Sequence, residues 1–220
     1  MSYGDNQHDK SLREAWHAFC DRLKDVDEAI FRDPAPVTGF ERATGFQYAS
    51  RLIASGLLAG LEHTDPLHPQ FFRIMSPERK WGGDNPDCLY LRAAIDGTHT
   101  YRIVGQRGGA AYIVFTAQKP LDDVREGHVR GTELLLGAAV DQLLGKDLDV
   151  AWDGSFELVL SPDHHDGNWI KTTPETDTIL VRQFFGAWHQ EEPMTVRIER
   201  VGPRIDLFPV GQSVIIGVRV

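Results

Sequence analysis

The hydrophobic pattern of this chain changes once, near Trp81, and this change constrains the fold class more than any other feature. Before Trp81, apolar residues recur three and four positions apart, which is the spacing of one face of an α-helix. After Trp81, short segments of alternating apolar and polar residues are separated by Gly, Asp and Pro turns, a pattern typical of β-strands. The sequence therefore predicts an α+β protein in which N-terminal helices precede an antiparallel β-sandwich or barrel.

Two helices are predicted in the N-terminal segment. The first begins at Ser11 with a capping box, after a disordered tail over residues 1–10. The second runs from about Phe40 to Leu61, and two prolines follow it. The predicted organisation is thus a helical lead-in over residues 11–78 and a β-sandwich domain over residues 79–220.

Turn-forming dipeptides divide the predicted β domain. Asp96-Gly97 and Asp153-Gly154 are typical of two-residue hairpin turns, so each is expected to join two neighbouring strands. Thr132–Leu144 has helical spacing and is predicted to be a third helix. The predicted strands are Cys88–Ile95, His99–Val104, Ala110–Thr116, Leu148–Trp152, Ser155–Leu160, 178–185, 194–201 and 213–220.

Composition argues against several classes of function. The net charge is −9 and the basic residues are scattered singly, so we expect no nucleic-acid partner. Cys20 and Cys88 are the only cysteines, too few for a disulfide scaffold or a thiolate zinc site. The polar N-terminus lacks the apolar stretch of a signal peptide, and no apolar segment is long enough to span a bilayer. We therefore predict a soluble, cytoplasmic protein without a membrane partner.

Arg182 is the sharpest candidate for a binding residue. It lies in the apolar segment Ile179–Phe185, where both faces of a strand would be apolar, so its side chain should be at least partly buried. A buried charge requires an opposite charge nearby. That partner is either a protein carboxylate, with Glu157, Glu175 and Asp177 as candidates, or an anion bound at a ligand site.

Two adjacent histidines flanked by aspartates suggest a metal or acid–base site. Neighbouring residues on a strand point to opposite faces, so His164 and His165 are poorly placed to share an ion, and we predict no metal. Either histidine, with Asp166, could instead act as a general base. The alternative is a solvated turn without chemical function.

Five further residues are candidates for ligand binding, and each also has a structural interpretation. Asn168 and Trp169 can line a pocket, or they can anchor a turn through the Asn168 amide and the Trp169 indole N–H. Tyr101 and Arg102 are neighbours on a predicted strand, so their side chains should point to opposite faces. Asp84 lies in a predicted turn, where it can cap the loop or supply oxygens to a site. These residues are Asn168, Trp169, Tyr101, Arg102 and Asp84.

Two blocks of motifs, in this order and spacing, carry a family resemblance. The first comprises Gly83-Asp84-Asn85-Pro86-Asp87 with Tyr90, Ile95-Asp96-Gly97, and Tyr101-Arg102-Ile103 with Gly105. The second comprises Asp153-Gly154-Ser155-Phe156-Glu157-Leu158, Asn168-Trp169, Val181-Arg182-Gln183-Phe184-Phe185 and Trp188. Together they resemble the bacterial proteins that carry the domain-of-unknown-function family 1214, over roughly residues 80–200.

This resemblance implies a jelly-roll-like β-sandwich, and it implies no established reaction, cofactor or catalytic residue. Members of the family run well past the position of Val220, whereas this chain stops inside the predicted strand Ser213–Val220. We therefore expect either a homo-oligomer in which another subunit completes that strand, or a shortened member of the family.

Three functions remain open at this stage. The first is a metal-independent lyase, isomerase or hydrolase in which Arg182 or Arg102 holds a small anionic molecule while His164 or His165 transfers a proton. The second is a non-catalytic module that binds a small molecule or carbohydrate. The third is an assembly protein that pairs through its last strand. No cofactor motif is present, so none is predicted.

Overall fold

The structure, a computed structural model, describes residues 7–121 and 137–202 of the chain. Its order of helices and strands confirms the predicted α+β class with a β-sandwich. The helices are α1 (Gln7–Lys24), α2 (Val26–Phe31) and α3 (Gly39–Leu57), and α3 continues into a π-helical turn, Leu58–Glu62. The strands are β1 (Phe72–Met75), β2 (Cys88–Ala94), β3 (Tyr101–Gln106), β4 (Tyr112–Lys119), β5 (Ala138–Leu144), β6 (Ser155–Ser161), β7 (Trp169–Lys171), β8 (Thr178–Phe184) and β9 (Thr195–Arg200).

The described strands form two sheets. The five-stranded sheet has the order β1-β2-β8-β4-β5, and the four-stranded sheet has the order β7-β6-β3-β9. All of their pairings are antiparallel except that of β6 with β7, which is parallel. We call the side of the five-stranded sheet that faces the other sheet its inner face, and the opposite side its outer face.

The core lies between the two inner faces. Alternate residues of β8 and β4, including Val181 and Phe115, are fully buried against residues of β3 and β6 such as Leu158. Phe115 and Phe156 meet edge to face, with ring centroids 5.8 Å apart. Burial of each such side chain stabilises the fold by about 1.5–3 kcal/mol, which makes the period-2 pattern of the sequence the main determinant of the sandwich.

Asp96-Gly97 does not form the predicted hairpin. The strands on either side of it belong to different sheets, because β2 pairs with β1 and β8 whereas β3 pairs with β6 and β9. The backbone N–H groups of Ile95 and Gly97 donate to Asp177 and Thr176, so this segment crosses between the sheets along a neighbouring loop. Gly97 is required there, since a Cβ would lie 1.9 Å from the carbonyl oxygen of Thr173.

The predicted third helix is also wrong over its described part. Residues 138–144 form β5, which pairs with β4, while residues 132–136 lie outside the described residues. Apolar residues spaced as in this short segment fit a strand as well as a helix, and pairing with the exposed edge of β4 decides between them.

The helical boundaries differ from those predicted. Helix α1 begins at Gln7, so Ser11 is internal to it, whereas the capping box of the chain belongs to α3, where the Thr38 hydroxyl accepts from the Glu41 N–H. The sheet begins within the predicted lead-in, at Phe72, and β7 was not predicted. Residues 1–6 and the predicted strand Ser213–Val220 lie outside the described residues.

The end of α3 and its π-helical turn cover one edge of the outer face. Leu52 and Leu58 pack against a second cluster that contains the buried side chains of Phe72 and Trp81. The hydroxyl of Tyr48 on α3 also accepts a hydrogen bond of 2.9 Å from the N–H of Gly82. These contacts position the lead-in beside the outer face, next to β1 and β2.

Replacing Tyr101 with Phe tests how the lead-in is fastened to the sandwich. The buried hydroxyl donates to the carbonyl oxygen of Pro66 (2.9 Å) and accepts from the N–H of Asp96 (2.8 Å). Tyr101→Phe leaves both groups unpaired and should lower the free energy of unfolding by about 1–3 kcal/mol in a urea titration. Tyr112→Phe, at an exposed position, is the control, and equal stabilities for the two variants would contradict the assignment.

Candidate functional site

The register of the five-stranded sheet brings two arginines to its outer face. Arg182 on β8 lies opposite Tyr90 on β2 and Val114 on β4. One step along the sheet, Arg92 on β2 and Thr116 on β4 lie on either side of Leu180. Directly paired residues share a face of a sheet, and diagonal neighbours lie about 7–8 Å apart. Both arginines and Thr116 therefore occupy one small region of the outer face.

Each of these three side chains carries a buried polar atom that lacks a hydrogen-bond partner. The atoms are Nε of Arg182, Nη1 of Arg92 and Oγ1 of Thr116. Buried polar atoms are paired in the great majority of native structures, so three unpaired atoms on one face of a sheet require an explanation. An anion on this face would supply acceptors to all three.

Burial lowers the pKa of the Arg92 guanidinium. Its Nη2 donates to the Thr178 hydroxyl at 2.9 Å, which leaves the charge without an adjacent carboxylate hydrogen bond. Removal from water lowers the pKa of the Arg92 guanidinium, and the negative charge of Asp177 opposes that shift only in part. The environment therefore disfavours the positive charge of Arg92, and a bound anion would offset this effect.

The carboxylates proposed from the sequence do not pair with Arg182. Glu157 is bound to Arg102, and Glu175 is bound to Lys119 with an Nζ to Oε2 distance of 3.0 Å. Asp177 acts on Arg92. Among the described residues, no carboxylate lies within ion-pair distance of the Arg182 guanidinium.

A small cavity of about 110 Å³ adjoins this region. Tyr90 and Cys88, which share the outer face of β2 with Arg92, line it together with Arg73 and Lys80. Asp84 lines it too, so this candidate residue lies beside Tyr90, which is paired with Arg182. Burial raises the pKa of the Cys88 thiol and of the Tyr90 hydroxyl, so both remain protonated at neutral pH. The cavity lining therefore carries two cations, Arg73 and Lys80, and one carboxylate, Asp84.

A histidine stands at the edge of the same face. His63 follows the π-helical turn, and its ring stacks on Phe72 with centroids 4.3 Å apart and planes inclined by 6°. Phe72 is paired with Arg92 across β1 and β2. Short π-helical segments occur frequently at functional sites, and this one positions an imidazole on Phe72, the neighbour of Arg92 across β1 and β2.

The histidines selected from the sequence lie elsewhere. His164, His165 and Asp166 are exposed in the loop between β6 and β7, on the four-stranded sheet. The nearest atoms of His164 and Asp166 are 3.9 Å apart, and the His164 ring meets the edge of Trp169 at 4.8 Å. The structure does not bring this group together with Arg182.

Asn168 and Trp169 make structural contacts. The amide of Asn168 donates to the carbonyl oxygens of Asp149 and Glu157, both at 2.8 Å, and accepts from the Asp149 N–H at 2.7 Å. The indole N–H of Trp169 donates to the Ser161 hydroxyl at 3.0 Å. These bonds tie the β6–β7 loop to the preceding turn.

Tyr101 and Arg102 point to opposite sides of β3, as predicted. Tyr101 is fully buried, which raises the pKa of its hydroxyl to about 12. Arg102 is half exposed on the other side, where it pairs with Glu157 at 3.0 Å and donates to Glu199 from both Nε and Nη2. Its charge is therefore already met by carboxylates, which leaves it poorly suited to hold an anion.

Sequence reasoning missed Arg92 and Thr116. The signal for Arg92 was present, because it lies in an apolar strand just as Arg182 does. Its importance comes from its position beside β8, which only the register between strands distant in sequence establishes. Thr116 offered no signal, since a threonine is ordinary in a strand.

The described residues contain neither a membrane-spanning helix nor a metal-binding cluster. No helix among them is both long and apolar enough to cross a membrane. No group of three or more His, Cys, Asp or Glu side chains in the described ranges is arranged to hold a metal ion.

Comparison with solved structures identifies one substantial similarity. The chain is similar to an uncharacterized protein from Burkholderia cenocepacia, with 38% sequence identity and a TM-score of 0.78 over 90% of this chain. It spans about half of that protein, 52% of its length. A protein from Vibrio parahaemolyticus is more distant, with 16% sequence identity and a TM-score of 0.42. That match covers 78% of this chain and 47% of the Vibrio protein. No family model and no curated protein matches the chain.

Replacing Asn168 with Ala separates its structural role from a ligand-binding role. Asn168→Ala removes three hydrogen bonds to backbone groups and should lower the free energy of unfolding by about 1–3 kcal/mol. Asp166→Asn, at a fully exposed position in the same loop, should leave the melting temperature unchanged and serves as the control. A stable Asn168→Ala protein would contradict the anchoring role.

Proposed function

We propose that this protein binds a small anionic organic molecule on the outer face of its five-stranded sheet, where Arg92 and Arg182 hold the anionic group. The observation that carries the proposal is the pair of arginines, each with a buried nitrogen that no described acceptor meets. A carboxylate or a phosphate accepts several N–H bonds at once and matches the planar guanidinium. The Thr116 hydroxyl can donate a further bond.

The surroundings of the arginines favour an organic anion over a hydrated inorganic one. Leu180 and Val114, beside the arginines on the same face, are both buried, so a strongly hydrated ion would lose much of its water there. The adjoining cavity adds two more cations, Arg73 and Lys80, against one carboxylate, Asp84. A ligand with an acidic group and an apolar or aromatic body fits these surroundings.

An enzyme acting on that anion is the second candidate, and His63 favours it. An imidazole stacked beside the anion site could exchange a proton with a bound molecule. This proposal moves the predicted acid–base role from His164 and His165 to a histidine near Arg92. Once an anion is shown to bind, loss of its conversion in His63→Gln with binding retained would support the enzyme with His63 as its acid–base group. Unchanged conversion in the variant would refute the role of His63, and no conversion by the wild type would refute the enzyme.

The other expectations from the sequence remain proposals. They are membership of the domain-of-unknown-function family 1214, a jelly-roll-like topology, a cytoplasmic location, and pairing of Ser213–Val220 between subunits. The motif blocks support the first two. The last concerns residues outside those that the structure describes.

The charge of Arg182 should determine both ligand binding and the stability of the free protein. In buffer without multivalent anions, Arg182→Met should be as stable as the wild type or more so, because a buried polar group without a partner costs about 1–3 kcal/mol. A bound carboxylate or phosphate at 100 times its Kd should stabilise the wild type by about 2.7 kcal/mol and should have no effect on the variant. Thermal unfolding against a panel of dicarboxylates, aromatic carboxylates and sugar phosphates measures both effects.

Arg92→Met should behave in the same way, and Arg102→Met is the matched control. Arg102 is also a strand arginine, but it lies on the other sheet and its charge is met by Glu157 and Glu199. Its variant should keep the full response to anions. Destabilisation by Arg182→Met in every buffer, together with an unaltered anion response, would show that Arg182 is structural and would refute the proposal.

A further inference from the structure

A groove of about 440 Å³ lies between α2 and α3, away from the two arginines of the outer face. Its walls are mainly apolar, with Ile30 from α2 and Ala49, Leu52 and Ile53 from α3. Gly45 lies in the wall of α3, where a Cβ would sit 3.4 Å from the side chain of Ile30. The volume is within the range of about 300–1,000 Å³ that is typical of small-molecule sites.

The groove also carries a positive charge that no carboxylate of the described residues pairs with. Arg42 lines it, with its guanidinium carbon 4.6 Å from the ring centroid of Phe31 and with a buried Nε that makes no hydrogen bond. Arg32 adds a second cation to the lining. The acidic residue nearby, Glu41, is already engaged, because its Oε2 accepts from the hydroxyl and the N–H of Thr38.

We propose that this groove binds a small amphiphile whose carboxylate pairs with Arg42 and whose hydrocarbon chain lies between Ile30 and Leu52. The apolar walls remove the chain from water, and the unpaired Nε receives a charged acceptor. This site is separate from the anion site on the sheet and does not rest on the proposed function of that site.

The dimensions of the groove favour a small molecule over a docked protein helix. Helix α2 has six residues and offers a wall only about 9 Å long, which is less than two helical turns. Helix-in-groove complexes use anchor side chains spread over two turns or more. Beyond α2, the wall continues only through Arg32, Ala35 and Pro36, which are not helical.

The first measurement compares octanoate with octanol by isothermal titration calorimetry. Octanoate should bind to the wild-type protein at least about tenfold more tightly than octanol, because only octanoate offers a charged acceptor to Arg42. Arg42→Met should reduce octanoate to the affinity of octanol. Equal affinities of the two ligands for the wild type, or no binding of either, would overturn the proposal.

A matched pair of glycine variants tests the location. Gly45→Leu fills the groove and should weaken octanoate binding at least about tenfold, whereas Gly56→Leu, on the same helix with open space around it, should leave binding intact. Both substitutions raise helix propensity, but the Leu side chain at position 45 must displace Ile30. Circular dichroism must therefore show that both variants keep the helical content of the wild type before their binding is compared. Equal binding by the two variants would refute the location.

Two further readouts distinguish this site from its alternatives. Arg182→Met should retain octanoate binding, and its loss would assign octanoate to the outer face of the sheet instead. Light scattering of the wild type without ligand should give the same mass as Gly45→Leu. A dimer that Gly45→Leu dissociates would show that a second copy of the chain occupies the groove, which also overturns the proposal.

Discussion

The pairing of β8 with β2 on one side and with β4 on the other is the constraint on which the rest of the structure depends. Because β8 is the middle strand of the five-stranded sheet, its register decides which residues of three strands share a face. Ile179 and Val181 then lie in the core, and Arg182 necessarily lies on the outer face. A shift by one residue would place Arg182 between the sheets and expose Val181. That register would be much less stable, because a charged side chain would be buried in the apolar core and an apolar side chain would lose its burial.

The same register concentrates an energetic cost in one place. A sheet face on which Arg92, Arg182 and Thr116 each carry a buried polar atom without a described partner is less stable than one with apolar side chains of similar size. The fold is able to pair a strand arginine, as Arg102 shows: its guanidinium is met from both neighbouring strands by Glu157 and Glu199. The contrast between Arg102, which is paired, and Arg182, which has no described carboxylate partner, is the strongest reason to assign the outer face to a ligand. Nothing in the packing of the described sandwich requires charges on that face.

Local patterns in the sequence predicted the parts of this fold that depend on one strand at a time. Alternation along β8 identified both the core positions and Arg182, because a period of two needs no knowledge of the neighbouring strands. Asp96-Gly97 was misassigned because the same turn chemistry serves a hairpin and a crossing between sheets, and contacts with Thr173 and Thr176 make the choice. Arg92 was missed for a related reason, since its proximity to Arg182 arises from strands about ninety residues apart.

Helix α3 relates the two proposed sites without merging them. Leu52 lines the groove and also packs against the cluster that contains Phe72 and Trp81. Tyr48 lines the groove, and its hydroxyl accepts a hydrogen bond from the N–H of Gly82. A substitution at Leu52 or Tyr48 therefore disturbs both the groove and the docking of the lead-in on the sheet. Arg42 lies on the side of α3 that faces α2, against Phe31, and belongs to the groove alone. The groove offers the guanidinium of Arg42 beside an apolar slot, so it should select ligands by the length of an apolar chain. The outer face offers two arginines within a sheet, so it should select ligands by the shape and charge of an acidic group.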